Sequence, residues 1–194
     1  MKIRAILLAL LIVITAMFCS CTGSENAPVE DGMVLTYHHS LGTMMGSASF
    51  TASYHFEKIS PNRYRVIFSF KDMQTNGIKS EMEDPEKTLT EEVDSRLMTD
   101  KNEPLREVMA KVPLWIPKKQ MKPGSRIAEL ICQGTDKWNE MEAVMFETNL
   151  AGNSINVYYD PGTGFLLGTK VKALMGGAME TKLAETNVKG LRLK

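Results

Sequence analysis

Apolar and polar residues alternate with a period of two along most of this chain, the pattern of β-strands with one face buried. The cleanest case is Ser47–Ile59, where Phe50, Ala52, Tyr54 and Phe56 fall on one face and Thr51, Ser53, His55 and Glu57 on the other. Ser60-Pro61-Asn62 supplies turn chemistry. Arg63–Lys71 then alternates again, with Tyr64, Val66, Phe68 and Phe70 inward. The two segments predict a hairpin. Further strands are expected at Met33–Ser40, Ile78–Met82, Thr88–Thr99, Arg126–Cys132, Lys137–Thr148, Ser154–Tyr159, Phe165–Lys172 and Met179–Val188. Asn76-Gly77 and Asp160-Pro161-Gly162-Thr163-Gly164 mark turns between them. Counting across the second turn sets Tyr159 opposite Phe165, Val157 opposite Leu167 and Ile155 opposite Thr169.

One segment breaks the period. Asn102–Lys111 places Leu105, Val108 and Met109 on one helical face, with Asn102 as cap and Pro104 in the first turn. It predicts one short helix. Val112-Pro113-Leu114-Trp115-Ile116-Pro117 follows, an apolar triplet between prolines, which reads as an extended crossover that buries Trp115. The expected fold is mainly β: a curved antiparallel sheet of about nine strands, a half-barrel or open barrel, with one short helix.

The first twenty residues follow another pattern. Lys2 and Arg4 precede an apolar run from Ala5 to Phe18, and small polar residues follow. This is the layout of a secretory signal, and the run is shorter than the roughly twenty residues of a spanning helix. The junction Phe18-Cys19-Ser20-Cys21-Thr22 resembles the lipobox of prokaryotic lipoproteins. That resemblance implies cleavage before Cys21 and a diacylglyceryl group on its thiol, with Ser20 as the small preceding residue. Phe18 stands where the family usually has Leu. Thr22 follows the cysteine, where an Asp would favour inner-membrane retention, so the resemblance implies outer-membrane sorting in a Gram-negative cell. The expected organisation is a signal peptide over 1–20, a lipidated Cys21 with a flexible tether over 21–32, and a single β domain over 33–194.

Composition narrows the partners. The chain has 23 basic and 23 acidic residues, and losing Lys2 and Arg4 leaves the processed chain near −2. No basic field for nucleic acid is present. With Cys19 removed and Cys21 lipidated, Cys132 has no disulfide partner in the chain, and its apolar neighbours predict a buried thiol. Fourteen methionines suit an adaptable apolar surface or irregular core gaps.

Catalytic and metal motifs are missing. His38 and His39 are adjacent in a strand, so they point to opposite faces and cannot share a metal. Asp160–Gly164 carries one carboxylate and no Lys-Ser or Lys-Thr, which excludes an EF-type loop and a P-loop. The acidic run Glu81, Glu83, Asp84, Glu86, Glu91, Glu92 and Asp94 reads as a solvated face. No cofactor is expected, and the chain is not expected to be an enzyme. Were a catalytic site assembled from distant residues, His38, His39, His55 and Cys132 would be the first candidates.

The stretch Val157-Tyr158-Tyr159-Asp160-Pro161-Gly162-Thr163-Gly164-Phe165-Leu166-Leu167, after a tryptophan-bearing crossover, looks like that of uncharacterised prokaryotic lipoproteins and secreted β proteins. The layout also resembles the open half-barrel of lipoprotein carriers of the LolA and LppX type, a likeness of strand count and lipid anchor. It implies an extracytoplasmic, membrane-anchored protein that holds a lipid or other apolar ligand in a curved sheet. The alternative is a solid envelope module that presents loops to a protein partner.

Overall fold

The computed structural model describes residues 25–77, 88–150, 152–173, 177–191 and 193, with Leu150 as backbone only. The signal segment, Cys21, the expected strand Ile78–Met82 and most of the acidic run lie outside them.

Ten strands form one open antiparallel sheet. They are β1 (Met33–Thr43), β2 (Gly46–Ser60), β3 (Arg63–Asn76), β4 (Leu89–Asp94), β5 (Arg126–Ile127), β6 (Leu130–Trp138), β7 (Met141–Leu150), β8 (Asn153–Tyr159), β9 (Leu166–Lys172) and β10 (Ala178–Thr186). Their order is β4-β3-β2-β1-β10-β9-β8-β7-β6-β5. The first and last strands therefore pair at the centre, and the consecutive strands β4 and β5 lie at opposite edges. The chain from Ser95 to Ser125 has to travel the full width of the sheet. It does so across the face that carries Leu35, Tyr37, Tyr54, Phe56, Phe146, Val157 and Tyr159, all with no exposed surface.

The expected β1–β2–β3 alternation is what forms: Tyr54 stands opposite Leu35 and Phe68, and Phe56 opposite Met33 and Val66. Four expectations are corrected. Asn102–Lys111 is not a helix. Leu105 N–H donates to Leu97 O and Leu114 N–H to Leu105 O, and isolated bridges join Met98 to Pro104 and Arg106 to Pro113. A ten-residue helix is marginal alone, and here neighbouring extended chain takes its backbone groups. Only the 3-10 turn Lys118–Gln120 is helical among the described residues.

The turn expected before Lys137 is also displaced. Gly134 (φ 107°) lies at a bulge inside β6, and the chain reverses instead at Asn139-Glu140, both in the left-handed region (φ 47° and 67°). Two consecutive positive φ values make the tight hairpin turn that matches strand twist. The β8–β9 register is offset as well: Tyr159 pairs with Leu166, Val157 with Thr169 and Ile155 with Val171, with an irregularity beside Tyr158. Phe165 is drawn out of the hairpin to pair with Trp115 of the crossover. Finally, the segment expected as a free tether joins the sheet before Gly32. Ala27 and Val29 are buried, Ala27 N–H donates to Ser95 O, and the Tyr64 hydroxyl donates to Val29 O at 3.0 Å.

Candidate functional site

The sheet has two ends. At one lie the chain's entry at Met33, the Pro61 turn and the Asp160–Phe165 loop; at the other lie the β1–β2 tip at Met44-Met45 and the turn after Asn76. The crossover covers the core face at the first end only. Sequence explains how it is held there. Aromatic residues at inward positions bring polar groups that need partners when buried. The Tyr159 hydroxyl donates to Pro113 O at 3.0 Å and Trp115 Nε1 to Thr163 O at 3.0 Å. The Tyr37 hydroxyl donates to Leu166 O at 2.8 Å. Gly164 (φ 85°) makes the contact feasible, because a Cβ there would collide with Ile116 O and the Trp115 ring.

Glu107 of the crossover sets its carboxylate against Tyr54 and His39. This carboxylate is fully buried and accepts hydrogen bonds from Ala110 N–H at 2.6 Å and Met109 N–H at 3.0 Å. Tyr54 Oη lies 3.5 Å from Glu107 Oε1 and itself accepts from Val108 N–H at 2.9 Å. Burial raises the Glu107 carboxyl above its usual range, against the pull of the Ala110 and Met109 amides. His39 stands beneath it, 2% exposed and stacked on Phe50 with ring centroids 4.5 Å apart. Burial first, and the neighbouring His38 second, lower its pKa from 6.5 to about 4. The neutral ring then uses Nδ1 to accept from the Thr181 hydroxyl at 3.1 Å and points Nε2–H toward Glu107 Oε1 at 3.4 Å, an orientation assigned from the network. That second contact is too poorly aligned for a full hydrogen bond.

His39 belongs to a row that crosses the sheet. Pairing sets Phe50, His39, Thr181, Thr169 and Val157 side by side on the core face. Thr169 is fully buried, and its hydroxyl has no hydrogen-bond partner among the described residues. One step toward the Met44 end, the next row reads Ala48, Leu41, Met179, Val171 and Ile155. Here burial loosens. Met179 and Val171 at its centre stay buried, but Leu41, Ala48 and Ile155 are only half-buried, as are Phe70 and Met73 on β3 and Met109 on the crossover. An irregularity between Ser49 and Thr51 faces Asp72 (φ 57°), which lets both Phe70 and Met73 face inward. The core face thus ends in a half-covered apolar trough beyond the fully packed row of His39, Thr181 and Thr169.

A cleft of about 740 Å³ opens at the same end, lined by Leu41, Ala48, Val171 and Met179 of the Leu41 row together with Ser40 and Lys170 of the other face. Ser40 stands opposite Ser49 and Glu180 on the face of His38, away from the core. The outer-face wall of the cleft includes the Lys170–Glu180 pair at 4.0 Å.

The residues singled out from sequence do not converge. His38 is exposed on the outer face and His39 buried on the inner. His55 lies on the outer face beside Val34, and Cys132 sits on β6 with four strands between it and β1. Cys132 is 2% exposed and free, and burial raises its thiol pKa. No group of three or more His, Cys, Asp or Glu that could hold a metal ion occurs among the described residues. Asp160 builds a turn, its carboxylate accepting from the Thr163 hydroxyl at 2.7 Å. Sequence reasoning missed Glu107, which sits in a segment taken for a helix, and the inward threonines. The signal for Thr169 and Thr181 was present as polar residues at inward positions of two adjacent strands.

No family model and no curated protein matches this chain. Among solved structures it is similar to a domain from Vibrio parahaemolyticus described as an outer membrane lipoprotein-sorting protein domain, with 11% identity and a TM-score of 0.26 over 82% of this chain and 86% of that one. It is also similar to PNGF-II, with 14% identity and a TM-score of 0.27 over 82% of this chain and 29% of that one.

Proposed function

We propose that the chain is an extracytoplasmic lipoprotein, anchored through Cys21, that holds an apolar ligand at the open end of its half-barrel. The observation that carries the ligand is the change in burial along one face. Leu35, Tyr37 and Tyr54 are sealed by the crossover, whereas Leu41, Ala48, Phe70, Met73 and Ile155 on the same face are left half-covered. Half-covered apolar side chains in a concave surface favour an apolar occupant. Two or more acyl chains hold a protein stably at a bilayer, so the anchor needs no help from the domain surface.

The geometry adds a direction. With Ala27 and Val29 packed against the sheet, only the short stretch from Thr22 to Asn26 separates lipid from domain. β1 starts at Met33 and the trough row lies at Leu41, which sets the trough roughly 26 Å further along the strand at about 3.3 Å per residue. A ligand site at that end faces away from the anchoring membrane.

The ten strands and the core lie within residues 27–191, so a chain begun at Thr22 retains the fold. Purified from the cell envelope compartment, it is expected to yield extractable lipid at near one-to-one ratio or to take up an apolar dye at that stoichiometry. A protein that carries no lipid and takes up no dye overturns the ligand. That outcome would favour an envelope interaction module, a reading that the sealed half of the core supports.

A further inference from the structure

An apolar ligand on the core face leaves the outer face of the same end unexplained. Two adjacent outer rows line the cleft of about 740 Å³ all the way from β3 to β9. One runs Gln74, Ser49, Ser40, Glu180 and Lys170; the next runs from Asn76 through Gly42 and Ala178 to Lys172. Side-chain size shapes a groove. Small residues such as Ser40, Gly42 and Ala178 occupy the middle strands, long ones stand on β3 and β9, and Glu180 is drawn to Lys170 at 4.0 Å. The Leu41 row between them also reaches the cleft, since a residue whose side chain points inward still presents its backbone to the outer surface. Phe70, Met73, Ile155 and Met109, which would wall a cavity on the core side, are not part of the lining. The cleft therefore opens outward.

Its polar groups are within reach and uncommitted. Ser40 and Ser49 are half-buried, and Gln74 and Lys172 are exposed. Among the described residues none of these four side chains makes a hydrogen bond or an ion pair. We propose that the cleft binds an acidic sugar, a saccharide unit carrying a carboxylate or a phosphate, with its hydroxyls on Ser40, Ser49 and Gln74 and its anion on Lys172. Serine hydroxyls and the glutamine amide both donate and accept, which matches the paired donors and acceptors of neighbouring sugar hydroxyls. Two lysines and one carboxylate line the cleft, so one positive charge is left over, and Lys172 is the cation that no acid neutralises. A peptide fits less well. Strands β2, β1, β10 and β9 lie inside the sheet, so the groove offers a peptide backbone no free strand edge. The site is distinct from the apolar trough and stands or falls without it.

The test is a chemical-shift titration of the isotope-labelled chain begun at Thr22 with glucuronate, glucose-6-phosphate, glucose and acetate, at neutral pH and low salt. At least one acidic sugar is expected to shift the Ser40, Ser49 and Lys172 amides and to bind about fivefold more tightly than glucose, the upper worth of an exposed ion pair. Whichever of the two does so names the anion. Acetate, with a charge and no hydroxyls, is expected to bind more weakly than that sugar. Lys172→Gln is expected to bring the acidic sugar to the level of glucose, and Ser40→Leu, which fills the floor, to abolish binding; thermal melting verifies that both variants fold. Glucose or acetate binding as tightly as the acidic sugars, an affinity that Lys172→Gln leaves unchanged, or no shift with either acidic sugar overturns the proposal and leaves the apolar ligand untouched.

Discussion

The core face of this sheet is one surface with two fates. Toward the entry end, Leu35, Tyr37 and Tyr54 are sealed under the crossover, and Tyr54, Tyr159 and Trp115 tie that strap to the sheet by hydrogen bonds. Toward the Met44 end, equally apolar residues such as Leu41, Phe70 and Ile155 remain half-covered. Both halves arise from the same alternation in the same strands. The difference comes from where a single connection runs, and it teaches that inward-facing apolar residues define a face without stating what covers it.

The comparison can be broken by equivalent truncations in the two halves. Leu114→Ala, in the fully buried crossover, is expected to cost about 3 kcal/mol, the usual loss for a sealed leucine. Urea unfolding measures it, and a loss below about 1 kcal/mol would mean the strap is not part of the core. The second effect is acid sensitivity at the boundary between the halves. His39 has a folded pKa lowered from 6.5 to about 4. Its contribution to stability is therefore complete above pH 6.5 and falls as pH drops toward 4, because only the unfolded chain takes the proton in that window. The total is on the order of 3 kcal/mol. Glu107, raised by burial, acts with the opposite sign, so the informative quantity is the difference between the parent and His39→Gln. The parent should lose more stability than the variant between pH 7 and pH 4, and parallel curves would remove His39 from the account.

Tyr54→Phe is expected to cost about 1–2 kcal/mol, since it deprives Val108 N–H of its acceptor. Amide exchange at Val108 should accelerate with it; an unchanged rate would show that the strap is held elsewhere. The smallest effect belongs to the open half. Leu41→Ala should cost under about 1 kcal/mol in the ligand-free protein, because its side chain is already half in water. A cost equal to that of Leu114→Ala would show the two halves to be equally packed and would erase the distinction.

Local chemistry in the chain was enough for much of this. Period-two alternation determined the strands β1–β3, their inward residues and the opposed directions of His38 and His39, because a strand offers side chains only two faces. The Pro61 and Asp160 turns followed from residues whose backbone angles or side-chain acceptors favour reversal. The burial of Cys132 followed from its neighbours. Where the chain's own signals competed, tertiary structure decided. The break expected between Cys132 and Lys137 became a bulge at Gly134 within one strand, while Asn139-Glu140 reversed the chain without a glycine. Leu105, Val108 and Met109 had helical spacing, yet pairing of Leu105 with Leu97 and Leu114 kept the first half of that segment extended, and the second half makes one turn from Glu107 to Lys111 around the buried Glu107 carboxylate. The β8–β9 register moved because Phe165 found a better partner in Trp115. Above all, only the strand order, with β4 and β5 at opposite edges, required the crossover to traverse the core face and so divided it into a sealed half and an open one. Contacts between segments more than a hundred residues apart in sequence, such as His39 with Thr181 and Tyr37 with Leu166, carry no trace in local pattern.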